Sequence, residues 1–516
     1  MGYRLISLKA QTDYSEAELR GMIGQELHLR EFTYTIEGKS LDARRRSDIH
    51  WLLRIGVSSP GLRGGAEVLS PAIEIPRKKR NKKVVIVGSG PSGFFAALLL
   101  QKAGFSTIII ERGKDVTQRA KGINAFEKSG KFDPQANYAF GEGGAGTFSD
   151  GKLTSRSKHI SSERQFILNS YIRAGAPAEI AYMTHPHLGS DKLKIIVKNL
   201  REEYESLGGA MHFETRLTDL EISHGRVLSA ISDKGSFNAD YFIIAPGHSA
   251  YETYRMLIRK GVAFQPKNFA IGSRMEHPQQ VINMSQWGKA SLPGVKAAEY
   301  RLTSNPAGAL PVYTFCMCPG GIVVPATAYE NKNVVNGMSN YQRNLKFANA
   351  ACVAGVNPYE LIGENADAEA VLNWVEALET KFFESSVHYQ APFCSIDDFI
   401  KRREPRIIPE SSYPLGLKPS PLWDLLPAKV SSSMRAGLTD FCRKIKGFET
   451  GIIMGLESKT SAPIQVVRDE ARNCTGIENL YISGEGSGFA GGIISSAADG
   501  VKTAITIGLS ADTALR

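Results

Sequence analysis

Up to about residue 75 the apolar positions come in short runs separated by polar and glycine-rich stretches. Tyr3 to Leu8, Phe32 to Ile36 and Ile49 to Val57 read as strands. Ser15, followed three positions later by Glu18, opens a helix with a reciprocal capping signature. This order predicts a small α+β unit over residues 1–75. The pattern changes at Val84. Val84 to Val87 is continuously apolar, as a parallel strand buried on both faces must be. A helical stretch from Phe94 to Ala103 and a second apolar run from Thr107 to Ile110 complete a βαβ unit. Asp191 to Leu207 reads as a helix stopped by Gly208 and Gly209. Tyr241 to Ile244 is a further short strand. Residues 262–440 mix strands, loops and a helix from about Ala366 to Phe383. The chain then returns to strand and helix, Leu480 to Ser483 and Gly491 to about Leu509.

Within the βαβ unit, Gly88, Gly90 and Gly93 spell G-x-G-x-x-G between strand and helix. Each glycine has a physical task. Gly88 permits the tight turn, Gly90 lets backbone approach a pyrophosphate, and Gly93 lets helix and strand pack closely. With Pro91 and Ser92, the first helical turn offers free N–H groups and a partial positive charge to phosphate. Glu111 ends the next strand, 23 positions after Gly88, where an acid accepts hydrogen bonds from a ribose and disfavours a 2′-phosphate. Two further matches, at Gly141–Gly146 and Gly486–Gly491, lack the full strand–turn–helix–strand frame. The first is read as a glycine-rich loop against the cofactor.

The sequence resembles the large flavoprotein superfamily typified by glutathione reductase. In that family the FAD domain is discontinuous: a G-x-G-x-x-G unit, a middle strand ending in A-T-G or similar, and a closing G-D strand and helix. Ala245, Pro246 and Gly247 resemble the middle element, and Gly484 with Glu485 the closing one, with Glu in place of the usual Asp. Three longer strings narrow the resemblance: GEGGAGTFSDGKL from Gly141 to Leu153, FCMCPGG from Phe315 to Gly321, and GEGSGFAGGI from Gly484 to Ile493. They are similar to a bacterial family of FAD-dependent, or NAD-utilising, dehydrogenases. That resemblance implies a discontinuous Rossmann-like α/β FAD domain with an inserted mixed α+β substrate domain and the small N-terminal unit. The implied division is a linker at 76–83, FAD-domain parts at 84–155, 191–260 and 441–516, a contributing loop and helix at 156–190, and the substrate domain at 261–440. The implied cofactor residues, beyond Gly88, Gly90, Pro91, Ser92, Gly93 and Glu111, are Arg112, Gly143, Gly144, Gly146, Thr147, Ser149, Asp150, Leu217, Ala245, Pro246, Gly247, Gly484, Glu485, Gly491, Gly492 and Ile493.

The implied function is hydride transfer at flavin N5 to or from a small molecule, with NADH or NADPH as a transient donor. No second complete nucleotide fold is legible. The alternatives are a flavin hydroxylase, a nucleic-acid-associated flavoprotein and an FAD sensor without turnover. Candidate chemistry lies in Cys316 and Cys318, whose C-x-C spacing in a regular strand points both thiols to one face. Their alternative is two small buried hydrophobes. His185 and His187 could bind an anion or move protons, or simply flank a helix capped by Ser190 or Asp191. Arg274 to His277 could line the same pocket. No metal-ligand spacing is present.

Composition adds little. Much of the +10 charge sits in the run Arg77–Lys83, read as a solvated linker rather than a nucleic-acid contact, since no aromatics interleave it. Six cysteines without a C-x-x-C pair, the lack of an apolar leader and the lack of a span of about 18 apolar residues predict a cytoplasmic protein that does not enter a membrane.

Overall fold

In the computed structural model, residues 2–65, 73 and 75–513 are described. The N-terminal unit is a three-stranded antiparallel sheet, Gly2–Ala10, Thr33–Asp42 and His50–Ser59, with the last strand in the middle. The helix Glu16–Leu27 packs on it through Leu19 and Ile23, and Ser15 and Glu18 form the capping box. The end expected for this unit, at residue 75, falls just past residues 66–72 and 74, which lie outside the described residues.

The second unit is built on a five-stranded parallel sheet assembled from distant parts of the chain. Its order is Leu480–Ile482, Tyr241–Ile244, Lys83–Val87, Ser106–Ile110 and Ala210–His212. Val84, Val85 and Ile86 are fully buried because helices cover one face and a three-stranded antiparallel sheet, Leu217–Ser223, Arg226–Ser232 and Gly235–Asn238, lies on the other. This is the discontinuous α/β sheet that the sequence implies. The helices Pro91–Lys102 and Ile493–Thr513 cross at Gly500, where a Cβ would stand 2.0 Å from the Ser92 carbonyl oxygen.

The third unit is an eight-stranded sheet, antiparallel except for one pair. Phe347–Val356 lies between Val312–Pro325 and Phe269–Pro278, followed outward by Ile452–Glu457 and Ala391–Ser395. Phe347–Val356 is almost entirely buried, and its four alanines and one glycine leave room for cover. The helices Ala368–Glu384 and Ala428–Lys444 supply that cover through Leu372, Phe382, Met434 and Phe441. Each such large side chain contributes about 2–3 kcal/mol by leaving water.

Three segments sit elsewhere than the sequence suggests. Ile452–Glu457, beyond residue 441, pairs with Phe269–Pro278 and so belongs to the eight-stranded sheet. The helix Ser161–Arg173 packs into the core of the parallel-sheet unit, with Tyr171 edge-on to Phe95 at 5.5 Å. The basic run is not all solvated. Arg80 is buried and bonds Asp512 at 3.0 and 3.1 Å, Lys78 pairs with the same carboxylate, and Lys82 pairs with Asp240.

Candidate functional site

The turn after Lys83–Val87 works as a cradle because it lacks side chains. Gly88 has φ +96°, and a Cβ there would stand 2.3 Å from the Ala245 carbonyl oxygen. A Cβ on Gly93 would stand 2.0 Å from the Gly88 carbonyl oxygen. Gly90 caps the helix Pro91–Lys102 without a side-chain bond, so the helix N-terminus stays open to an anion. Ser92 is tied to the closing strand through a 2.8 Å bond between its hydroxyl and that of Ser483.

A glycine-rich loop, residues 137–150, folds over this turn and leaves Gly144 against Gly90. Its backbone is buried yet has little regular pairing, so side chains must satisfy it. Arg119, on the helix Val116–Ser129, is fully buried and donates to the carbonyls of Asn137, Tyr138, Gly141, Glu142 and Gly144 at 2.8–3.4 Å. Burial pushes its pKa down to about 10, which leaves it charged at neutral pH. Glu111 takes the complementary donors: its carboxylate accepts from the Ser89 N–H and hydroxyl, the Gly113 N–H and the Gly141 N–H. Asn137 Oδ1 accepts the N–H groups of Ala139 and Phe140. The Glu142 carboxylate accepts the Val116 N–H at 2.7 Å and an Arg201 bond at 2.7 Å.

Between turn, loop and eight-stranded sheet lies a cavity of about 1330 Å³. It is lined by Gly88, Gly90, Glu111 and Arg112, by Gly144, Gly146 and Ala245–Gly247, and by Glu485, Gly491–Ile493 and Cys316. At the closing strand the Gly484 N–H is held by Asp499, which also pairs with Arg468 and Arg472. Glu485 instead faces the cavity, where burial pushes its carboxyl up to about 7 against the pull of Lys267. Asp150 is buried in a bidentate pair with Arg343 at 2.6 and 3.1 Å and bonds Lys152 at 2.5 Å. Those two cations hold it well below the usual carboxylate range despite its burial. Lys152 Nζ in turn reaches the Met317 carbonyl, so one side-chain chain joins loop and sheet.

The description "FAD-dependent protein, C-terminal domain-like" matches residues 268–460, and "FAD binding domain" matches residues 81–129. An uncharacterized protein of Clostridium beijerinckii is 42% identical over 428 residues, 81% of this chain and 79% of its own length. The chain belongs to this family of FAD-dependent proteins. It is an FAD-dependent flavoprotein. Among solved structures it is similar to L-proline dehydrogenase from P. horikoshii, with 10% identity, a TM-score of 0.36, and 83% of this chain and 94% of that one covered. Glycine oxidase from Bacillus cereus gives 9%, 0.34, 83% and 96%. Likeness this loose assigns no substrate.

The flavoprotein sorts its sequence-predicted site residues into two groups. Gly88, Gly90, Pro91, Ser92, Glu111, Arg112, Gly144, Gly146, Ser149, Asp150, Leu217, Ala245, Pro246, Gly247, Glu485, Gly491, Gly492, Ile493, His185 and Cys316 line the cavity. Gly93, Gly143, Thr147, Gly484, His187 and Cys318 stand behind its wall. Gly143 donates to the Ser89 carbonyl, and the Thr147 hydroxyl bonds within the loop, to the Glu142 carbonyl. Glu111 lines the cavity with its oxygens already engaged by four donors, so a ribose would have to share them. The two histidines part company. His185 is exposed beside Glu299, whereas His187 stacks on Tyr341, bonds its carbonyl at 3.0 Å, and is pushed down to about 3 chiefly by burial. The helix after them, Gly189–Ser206, has no side-chain cap, and Asp191 accepts the Tyr341 N–H instead. Arg274 to His277 do not line the cavity but lie buried inside the sheet. Sequence reasoning missed Arg119, Arg343, His248 and Lys459. The last two line the cavity wall, Lys459 in a buried pair with Glu379 at 2.6 Å.

Replacing Arg119 with Met leaves five buried carbonyls without their donor. The Arg119→Met variant is expected to lose at least about 3 kcal/mol in urea unfolding and to become cleavable within 137–144 under limited proteolysis. Unchanged stability and protease resistance would contradict the loop account. His277 offers a second test. Burial pushes its pKa down to about 4, so the folded chain keeps it neutral while the unfolded chain protonates it below about 6.5. The stability it contributes is complete above about pH 6.5 and falls as pH drops toward its folded value. Relative to His277→Leu, the native chain is expected to lose about 3 kcal/mol between about pH 6.5 and 4. Parallel pH profiles for the two proteins would show a solvent-facing ring instead.

Proposed function

We propose that FAD lies along the cavity with its pyrophosphate at the open helix N-terminus behind Gly90 and its flavin toward Glu485 and Gly491–Ile493. The observation that supports this is the continuity of the cavity from the phosphate-type turn, past the glycine loop, to the start of the helix Ile493–Thr513. The residues fit the group. The turn excludes a Cβ at Gly88 and Gly93, the approach at Gly90 is bare backbone, and the cavity exceeds the roughly 300–1,000 Å³ of an ordinary ligand site. Bound FAD supplies the two-electron acceptor. The chain's own residues then bind and orient. Helix N–H groups take phosphate, Glu485 sets the charge at the closing turn, and the His248 and Lys459 side chains line the wall near it.

The remaining space, rimmed by Arg156, Arg301, Asn305 and Tyr313, takes the small-molecule substrate. Neither arginine has an ion-pair partner among the described residues, which favours an anionic substrate. NADH or NADPH would act as a visiting donor, and six free cysteines fit a reducing cytoplasm. The basic run Arg77–Lys83 gives nucleic acid little support, because Lys78, Arg80 and Lys82 are engaged within the chain.

The test is the visible spectrum of the purified protein with FAD, followed through anaerobic titration with NADH and then NADPH. A bound-flavin spectrum that bleaches with one of them is expected. The Gly90→Val variant should bind FAD at least about tenfold more weakly, the loss of roughly one contact of 1.4 kcal/mol. Equal FAD affinity in that variant would remove the pyrophosphate from the turn, and a flavin that stays oxidised would remove the nicotinamide donor.

A further inference from the structure

The strand Val312–Pro325 is not regular where it meets the cavity. Its register against Phe347–Val356 slips by one residue between Phe315 and Cys318, and again between Cys318 and Gly321. Cys316 sits at the first slip with φ +43°, a left-handed conformation that a side chain with a Cβ rarely adopts. Such conformations persist only where the surroundings hold them, and they gather at functional sites. Here Arg274, fully buried in Phe269–Pro278 on the far side of Phe347–Val356 and paired with Glu457 at 3.1 Å, donates to the Cys316 carbonyl at 2.6 Å. The Cys318 thiol turns back to the same carbonyl at 3.4 Å. In a straight strand, residues two apart stand about 6.6 Å apart, near the outer limit of about 6.8 Å for a disulfide. The turn at Cys316 relieves that limit.

The surroundings also separate the two thiols chemically. Cys316 lines the cavity, while Cys318 is fully buried behind it. Cations reach the pair from two elements: Lys152 from the glycine loop and Arg274 from the sheet, the latter 3.4 Å from Cys318 Sγ. The acids facing them are already engaged, Asp150 by Arg343 and Lys152 and Glu457 by Arg274. Glu485, which also lines the cavity, is pushed up to about 7 by burial against the pull of Lys267. The Cys318 hydrogen bond, with Lys152 and Arg274, pulls Cys316 well below the ordinary thiol range in spite of burial. Burial and the Cys316 thiolate push Cys318 up. Cys352 and Cys394 are also pushed up by burial, Cys442 to about 11 and Cys474 to about 12.

We propose that Cys316 and Cys318 are a redox-active dithiol of the substrate compartment, with Cys316 the attacking thiolate, Cys318 the resolving thiol, and a low-molecular-weight disulfide the co-reactant. The Cys316 thiolate attacks one sulfur of R–S–S–R. The new Cys316–S bond forms, the S–S bond breaks, and RS⁻ leaves. The Cys318 thiol gives its proton to the departing thiolate and attacks Cys316 Sγ. A Cys316–Cys318 disulfide forms, and the second RS⁻ leaves to take a proton from solvent. The small disulfide is reduced by two electrons and the dithiol oxidised by two. This rests on the reading of the cavity as the substrate site, but its chemistry does not pass through FAD.

The experiment uses the full chain, reduced with dithiothreitol, desalted, and mixed at about pH 6 with 5,5′-dithiobis(2-nitrobenzoate). An ordinary thiol, with a pKa of about 8.5, is almost wholly protonated there. The wild-type chain is expected to release two equivalents of thionitrobenzoate in a fast phase and to yield a Cys316–Cys318 disulfide in peptide mass spectra. Cys318→Ser should release one equivalent and keep a mixed disulfide on Cys316. Cys316→Ser should slow the reaction about 100-fold. A fast phase that survives Cys316→Ser, or a wild-type mixed disulfide that is never resolved, would overturn the proposal. FAD absorbance is recorded for each variant. A folded, FAD-binding chain without the fast phase sinks the dithiol alone, and loss of FAD binding in the wild type sinks the cavity reading instead. If Cys316→Ser fails to bind FAD or to melt cooperatively, the fate of the mixed disulfide in Cys318→Ser decides.

Discussion

A buried stretch of irregular backbone must have every polar group answered, and residues 137–150 impose that demand on the rest of the flavoprotein. No strand or long helix answers it. One guanidinium, on Arg119, takes five carbonyls, and one carboxylate, on Glu111, takes N–H groups from three loops. Arginine suits the task because its planar fork offers five donors. Glu111 suits the complementary one because an ionised carboxylate offers about four acceptor positions. Together they hold Gly144 against Gly90 and fix the roof of the cavity over its floor.

The same loop carries charge across to the eight-stranded sheet. Asp150 meets Arg343, and Lys152 meets the Met317 carbonyl beside Cys316. On the sheet side Arg274 lies in the middle of an inner strand, a costly place for a cation. Its cost is offset by Glu457, Asn336, Asn349 and the Cys316 carbonyl, and the result is a wall whose one strained residue is held from behind. Phosphate-type turn, loop and strained strand are thus three parts of one hydrogen-bonded structure.

Much of the fold was legible because its signals are local. The run Val84–Val87, the glycines at 88, 90 and 93 and the strands before Gly247 and Gly484 announce themselves by burial period and turn chemistry over a few residues. The helix Ser161–Arg173 hid its allegiance because its apolar face does not say which core it joins. Ile452–Glu457 did so because a short apolar strand pairs as readily with one sheet as another. The site was legible in its glycines and not in its charges. Arg119 and Asn137 are 18 residues apart, Asp150 and Arg343 are 193 apart, and no periodicity links them. The C-x-C pair was visible, but the two register slips that turn Cys316 toward the cavity depend on the facing strand, which its own sequence does not contain.

The central claim is that FAD occupies the space between the glycine turn and the loop that Arg119 and Glu111 hold over it. Hydrogen–deuterium exchange with and without FAD tests it most directly. Slower exchange on FAD addition is expected in three separated stretches together, 88–94, 137–150 and 484–496, with little change in the N-terminal sheet. FAD that binds without slowing exchange in the first two stretches, or that protects another part of the chain instead, would contradict the account.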